Sequence, residues 1–120
     1  MIAKDFLLVG LGGMIGSIGR HWASLLIKQN NFPTATLTVN VIGSFIIGAI
    51  MALAIKHTNL NDWRVFIATG ICGGFTTFSA FSWESLQMLQ QQRYGAVVMY
   101  ISLSLVASIV ATFFGYWLAK

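Results

Sequence analysis

Long apolar stretches separated by short polar breaks dominate this chain. Thr34 to Ile55 runs 22 residues without a charge, Val65 to Trp83 runs 19, and Tyr94 to Ala119 runs 26. A helix needs about 20 apolar residues to cross the hydrocarbon core, so each stretch can span a bilayer. A further stretch, Phe6 to Gly19, holds 14 residues and continues past Arg20 and His21 into Trp22 to Ile27. It reads as a complete span carrying a charge toward its second end. A cleaved leader is the rival reading because Lys4 precedes an apolar core, but Arg20 interrupts the cleavage region and three more spans follow. The pattern predicts a single all-α membrane domain of four transmembrane helices, over approximately 4–28, 33–55, 63–89 and 94–119, with no soluble domain. The turns Lys28 to Pro33, Lys56 to Asp62 and Gln90 to Arg93 are short, which makes successive helices antiparallel neighbours in one bundle.

Composition agrees with this pattern. Apolar residues make up 57% and charged residues 8%, against roughly 25% charged in ordinary soluble chains. A soluble domain of this size exposes too much surface to manage with so few charges. The seven Lys and Arg outnumber Asp5, Asp62 and Glu84, yet they lie scattered at span ends and form no patch for nucleic acid. Cys72 is the only cysteine, which excludes an intrachain disulfide and reads as a small buried thiol. With four spans, one side of the membrane collects Lys4, Lys56, Arg64 and Lys120, and the other collects Arg20, Lys28 and Arg93. Lys and Arg bias sets orientation, and four against three is almost no bias. Two outcomes stay open: insertion both ways followed by antiparallel pairing, or a single orientation set by the small excess.

Small residues recur four apart at Gly12 and Gly16, Gly13 and Ser17, Ser44 and Gly48, Gly70 and Gly74, and along Ala107, Ala111 and Gly115. Such spacing lets helix backbones approach closely within a membrane. The run from Gly10 to Gly16 loosely resembles a dinucleotide loop, but no strand precedes it and no solvated helix start follows, so helix packing is the better reading. His21 and His57 have no cysteine or carboxylate at ligand spacing, and no nucleophile–histidine pair lies inside a span. Nothing here suggests an enzyme.

The third span carries the most information: Gly70-Ile71-Cys72-Gly73-Gly74-Phe75-Thr76-Thr77-Phe78-Ser79-Ala80-Phe81-Ser82-Trp83-Glu84. Two glycines followed by two threonines weaken regular helix and offer hydroxyls that compete for backbone groups. A break near mid-membrane is tolerated only where the freed groups are buried or line a wet cavity, and broken helices at that depth present carbonyls to cations. A continuous helix with close-packing glycines is the alternative; the break is favoured. Phe78 and Phe81 lie three apart and alternate with Ser79 and Ser82, as in a pore wall, and aromatic ring edges are electropositive enough to face a small anion. Glu84 follows one turn later, either as a functional carboxylate or as an interfacial anchor beside Trp83. Asn40 interrupts the second span; its amide must be partnered there, by a neighbouring helix or by an ion.

These motifs resemble the Fluc/CrcB family of fluoride channels. The resemblance rests on Gly12-Gly13, Gly16 and Arg20 in the first helix, on Thr36-Leu37-Thr38-Val39-Asn40 with Gly43-Ser44-Phe45 and Gly48 in the second, and on Gly70 to Glu84 in the third. It implies an antiparallel, dual-topology homodimer in the inner or plasma membrane, with fluoride pores and a central structural sodium ion. Phe78 and Phe81 would be the pore rings, Asn40 a donor on the fluoride path, and Thr77 and Ser79 part of a hydroxyl track. Tyr100, Ser104 and Ser108 would continue that track on the fourth helix. Arg20 would sit at the vestibule, and the backbone carbonyls of Gly73 and Thr76 from both subunits would hold the sodium. Ala80 stands where the family usually has threonine, removing one hydroxyl, and Ala35 where a glycine commonly opens the second-helix motif. The alternative is a small multidrug-type proton antiporter, but that class relies on a carboxylate within its first helix, and Phe6 to Gly19 has none.

Overall fold

The computed structural model describes residues 2–27 and 32–120, and every regular element among them is helical. Helix α1 covers Ile2–Leu26 and α2 covers Thr34–Lys56. The third span, Thr58–Gln90, is assembled from pieces. A 3-10 turn at Thr58–Leu60 leads into α3 (Asn61–Arg64), then a π-helical segment (Val65–Cys72), α4 (Gly73–Phe75) and α5 (Phe78–Gln90). Helix α6 runs from Tyr94 to Ala119. Four of these helical runs are long and apolar enough to cross a membrane, and the protein is a multi-pass membrane protein. Lys28, assigned above to a span end and to the topological charge count, lies outside the described residues.

The break predicted in the third span is present, and it lies slightly later than the glycines. Gly73 is helical, with φ −61° and ψ −37°. The chain leaves the helix at Thr76 (φ −85°, ψ 156°) and Thr77 (φ −152°, ψ 126°), both extended. The threonines set this position themselves. Thr77 Oγ1 accepts the Ala80 N–H at 3.2 Å and so caps α5, which is the preferred role of a hydroxyl residue just before a helix.

Two pairings organise the bundle: α2 lies along α6, and α1 lies along the π-helical segment and α4. The second pairing depends on Gly16, since a Cβ there would overlap the Ile71 carbonyl oxygen and come within 2.8 Å of the Phe75 nitrogen. Small residues thus bring the backbones together without a hydrophobic drive between helices. Between α2 and α6, Thr112 Oγ1 donates to the carbonyls of Ser44 (3.1 Å) and Ser108 (3.0 Å). Large apolar side chains such as Phe6, Trp22, Val106 and Phe113 remain exposed on the outside, as expected of a lipid-facing surface. At one end Lys4 pairs with Asp62 at 2.9 Å, both half exposed, an arrangement worth no more than about 1 kcal/mol. There too, Lys56 Nζ donates to the Ala119 carbonyl at 3.2 Å, placing a cation at a helix C-terminus.

The α5–α6 turn closes with a left-handed residue, Gln92 (φ 58°). The Arg93 N–H reaches the Met88 carbonyl at 2.9 Å and the Gln92 N–H reaches that of Leu89 at 3.0 Å, the two-bond helix stop usually built on glycine. Gln92→Gly removes the steric cost of this conformation and should stabilise the fold by about 1 kcal/mol; a raised midpoint of thermal unfolding in detergent checks it.

Candidate ion pathway at the third-span break

A helix broken inside a membrane frees backbone groups that no water can satisfy. Here three side chains deal with them. Asn40 of α2 accepts the Thr77 N–H on Oδ1 at 2.8 Å and donates from Nδ2 to the Thr77 carbonyl at 3.1 Å. One amide thus pairs with both polar groups of one extended residue, much as a neighbouring strand would. Because the Thr77 N–H requires an acceptor, this pairing fixes which way the amide faces. Arg20 Nε donates to the Gly74 carbonyl at 3.2 Å, so a cation meets the C-terminal end of α4. Thr76 Oγ1 and the Thr76 N–H both donate to the Cys72 carbonyl, at 2.8 and 2.9 Å.

These bonds redirect the donors that a continuous helix would have used. The Thr77 N–H, four residues after Gly73, goes to Asn40, and the Ala80 N–H, four residues after Thr76, goes to Thr77 Oγ1. The carbonyls of Gly73 and Thr76 therefore lose their regular i+4 partners. A carbonyl released in this way is a ligand for a hard cation, which prefers oxygen.

Beside the break lies a cleft of about 420 Å³ between α2, the third span and α6. Asn40, Thr76 and Thr77 line it together with Phe78 and Phe81, and Gly73 borders it. Ser104 and Ser108 face it from α6. The Ser104 hydroxyl is buried and has no partner among the described residues. With the second N–H of the Asn40 amide, it gives the cleft donors alongside ring edges. Phe78 is 75% exposed, and its ring centroid stands 5.5 Å from that of Phe81.

Of the eleven residues given pathway, vestibule or sodium roles in the sequence, the structure gathers eight around the cleft and leaves three, Ser79, Tyr100 and Arg20, elsewhere. Ser79 is exposed and contacts Thr77 Oγ1 at 3.0 Å without lining the cleft. Tyr100 is fully buried behind Phe81, with ring centroids 5.1 Å apart. Arg20 is at the α1 contact with Gly74. Ala80 contributes its backbone N–H to the cap, a role independent of its side chain.

Glu84 gains a definite setting. Thr36 Oγ1 donates to its Oε2 at 2.9 Å and Tyr100 OH donates to its Oε1 at 2.9 Å. The carboxylate thus ties α2, α5 and α6 together just beyond the cleft, instead of standing as an interfacial anchor. Thr36, Gly43 and Ser44 did not stand out as site residues in the sequence. For Thr36 and Ser44 the signal was positional, since with Asn40 they recur every four residues and form one polar stripe on α2.

The family model described as CrcB-like protein, Camphor Resistance (CrcB), matches residues 7–116. The chain belongs to this CrcB-like family. Among its CrcB-like relatives is the fluoride-specific ion channel FluC of Azobacteroides pseudotrichonymphae genomovar. CFP2, 41% identical over 121 residues, covering 98% of this chain and 97% of that protein. The protein of the same name from Chlorobium phaeobacteroides is 42% identical over 118 residues, covering 96% and 92%. That of Thermus thermophilus is 40% identical over 116 residues, covering 94% and 93%. The likeness in this CrcB-like chain thus reaches into all four spans and includes the break within the third.

Replacing the clamp should be costly. Asn40→Ala leaves two backbone groups of Thr77 unpaired, at about 1–3 kcal/mol each. Amide hydrogen exchange should accelerate at Thr77 in this variant, while the α1–α4 contact at Gly16 keeps its protection.

Proposed function

We propose that this chain is a passive, fluoride-selective channel of the inner or plasma membrane that works as an antiparallel homodimer and relieves fluoride toxicity. The observation that carries this reading is the clamped break at Thr76–Thr77 beside Phe78, Phe81 and the Ser104 hydroxyl, which has no partner among the described residues, in a chain whose relatives bear the name fluoride-specific ion channel. Fluoride is small and strongly hydrated, so a pore must offer donors in place of water while holding the ion weakly enough to release it. The Asn40 amide, the Ser104 and Ser108 hydroxyls and the ring edges of Phe78 and Phe81 are such donors. Thr77 and Ser79 would extend the track, with Tyr100 bracing Phe81 from behind. Arg20, at the α1–α4 contact, would add positive potential on the approach from the vestibule. Movement is downhill: a negative-inside potential favours anion export by roughly 2.3 kcal/mol per charge per 100 mV.

The residues at the break also suit a structural sodium ion. Gly73 and Thr76 offer carbonyls released from the helix, and hard cations take oxygen ligands in larger number than two. The same pair from a second, inverted copy would complete the set, and the near-equal charge count on the two sides of the membrane permits that inversion. Thr69, Gly73 and Phe78 are all exposed along the third span, which suits a face covered by a second copy. When bound, the cation would hold two broken spans together and add positive potential near the anion path.

A proton-coupled multidrug antiporter is not favoured, because α1 carries no carboxylate between Phe6 and Gly19. Liposomes reconstituted with purified protein should release fluoride when an ionophore relieves the charge imbalance, and chloride should pass far more slowly. Equal chloride passage, or no fluoride release, overturns the reading. Phe81→Ile should abolish or greatly slow fluoride release with the dimer still assembled, as read by cross-linking; undiminished flux removes Phe81 from the path.

A further inference from the structure

Asn40 is not the only residue of α2 that shapes the break. Gly43 stands three residues later on the same side of the helix, and it meets the residue before the clamped one. A Cβ added at Gly43 would overlap Thr76 Cγ2, while its next neighbours, Phe75 Cδ2 and Thr76 Cβ, would stand at ordinary contact distances of 3.6 and 3.7 Å. The conflict is confined to a single methyl group. That methyl cannot simply turn away. Thr76 Oγ1 donates to the Cys72 carbonyl at 2.8 Å, and a β-branched side chain has few staggered positions to choose from. Moving the methyl means breaking that bond or shifting the backbone of Thr76. At this residue ψ is 156° in place of a helical value near −42°, so its carbonyl is turned roughly half a revolution from the helical direction.

We infer that Gly43 is a positioning residue for the ion pathway, a socket on α2 whose missing Cβ admits the Thr76 methyl and thereby sets the rotation of the Thr76 peptide. Two points on one helix then template two consecutive extended residues: Gly43 seats the side chain of Thr76, and Asn40 pairs with the backbone of Thr77. The functional consequence rests on the proposed cation role of the Thr76 carbonyl, whereas the socket stands on geometry alone.

The test compares Gly43→Ala, Thr76→Ser and the double variant in the full-length protein. Serine keeps the hydroxyl that bonds the Cys72 carbonyl and removes the methyl that a Cβ on Gly43 would strike. Two readouts are taken: amide hydrogen exchange from residue 74 to residue 80, and the sodium concentration giving half-maximal fluoride efflux from liposomes. Gly43→Ala should accelerate exchange at Thr77, and raise the sodium requirement, each by about tenfold, the scale of an overpacked contact. Thr76→Ser by itself sets the baseline for the double variant, which should differ from it on both readouts by far less than Gly43→Ala differs from the parent protein. A double variant as impaired relative to Thr76→Ser as Gly43→Ala is relative to the parent, or a Gly43→Ala protein indistinguishable from the parent, overturns the inference. Should Gly43→Ala fail to assemble, recovery of assembly in the double variant supports the socket and continued failure overturns it. A parent protein without sodium dependence would count against the cation reading, and the exchange measurement would still decide the socket.

Discussion

A helix broken inside a bilayer must have its freed backbone groups answered by the protein, and in this chain the answer is the paired bond between the Asn40 amide and Thr77. Everything distinctive about the molecule depends on it. Without that pairing, the N–H and carbonyl of Thr77 would face hydrocarbon at a cost of several kcal/mol, and a continuous helix would be the lower-energy arrangement. With it, the donors that would have closed onto Gly73 and Thr76 are drawn away, and the chain gains carbonyls and a cleft at a depth where neither is normally tolerated. Arg20 completes the arrangement by meeting the Gly74 carbonyl. A cation from α1, an amide from α2 and hydroxyls from the third span itself therefore share the work of stabilising the break.

The close helix packing serves the same end. Gly16 lets α1 lie against the π-helical segment and α4, which brings Arg20 within reach of Gly74 one turn further along. On the opposite side, α2 holds α6 through Thr112, and this pairing puts Ser104 and Ser108 across the cleft from Phe81. Beyond the cleft, Glu84 joins α2, α5 and α6 through Thr36 and Tyr100. Phe81 is thereby backed by a tyrosine whose own hydroxyl is fixed. In the proposed pathway, a ring held in this way would present an edge to the ion without rearranging.

The four spans and the broken third one are legible in the sequence because each arises from local chemistry. Uncharged length marks a span, and Thr76-Thr77 after two glycines marks a weak point. Even so, the glycines stay helical and the threonines form the break, because a hydroxyl can take over a backbone donor whereas a glycine only ceases to resist. What the sequence leaves hidden is pairing at long range. Asn40 announces a need for a partner, but nothing local says that the partner is the backbone of Thr77. Tyr100 and Ser79 have the right chemistry for a polar track, and only the fold places one behind Phe81 and the other outside the cleft. The π-helical winding of Val65–Cys72 has no local signature, and Gly43 looks like one more packing glycine until the Thr76 methyl is seen against it.

The central claim is that an anion passes through the cleft between Asn40, Phe81 and Ser104. It is tested most directly by solid-state NMR on membrane-embedded protein carrying ¹³C in its phenylalanine rings and ¹⁵N in its asparagine amides, with fluoride present. Dipolar dephasing by ¹⁹F should appear at the Phe81 ring and the Asn40 side chain, and should be absent at Phe45, which packs against Phe114 away from the cleft. Dephasing confined to surface residues, or none at Phe81 and Asn40 while fluoride still crosses the membrane, would contradict the account.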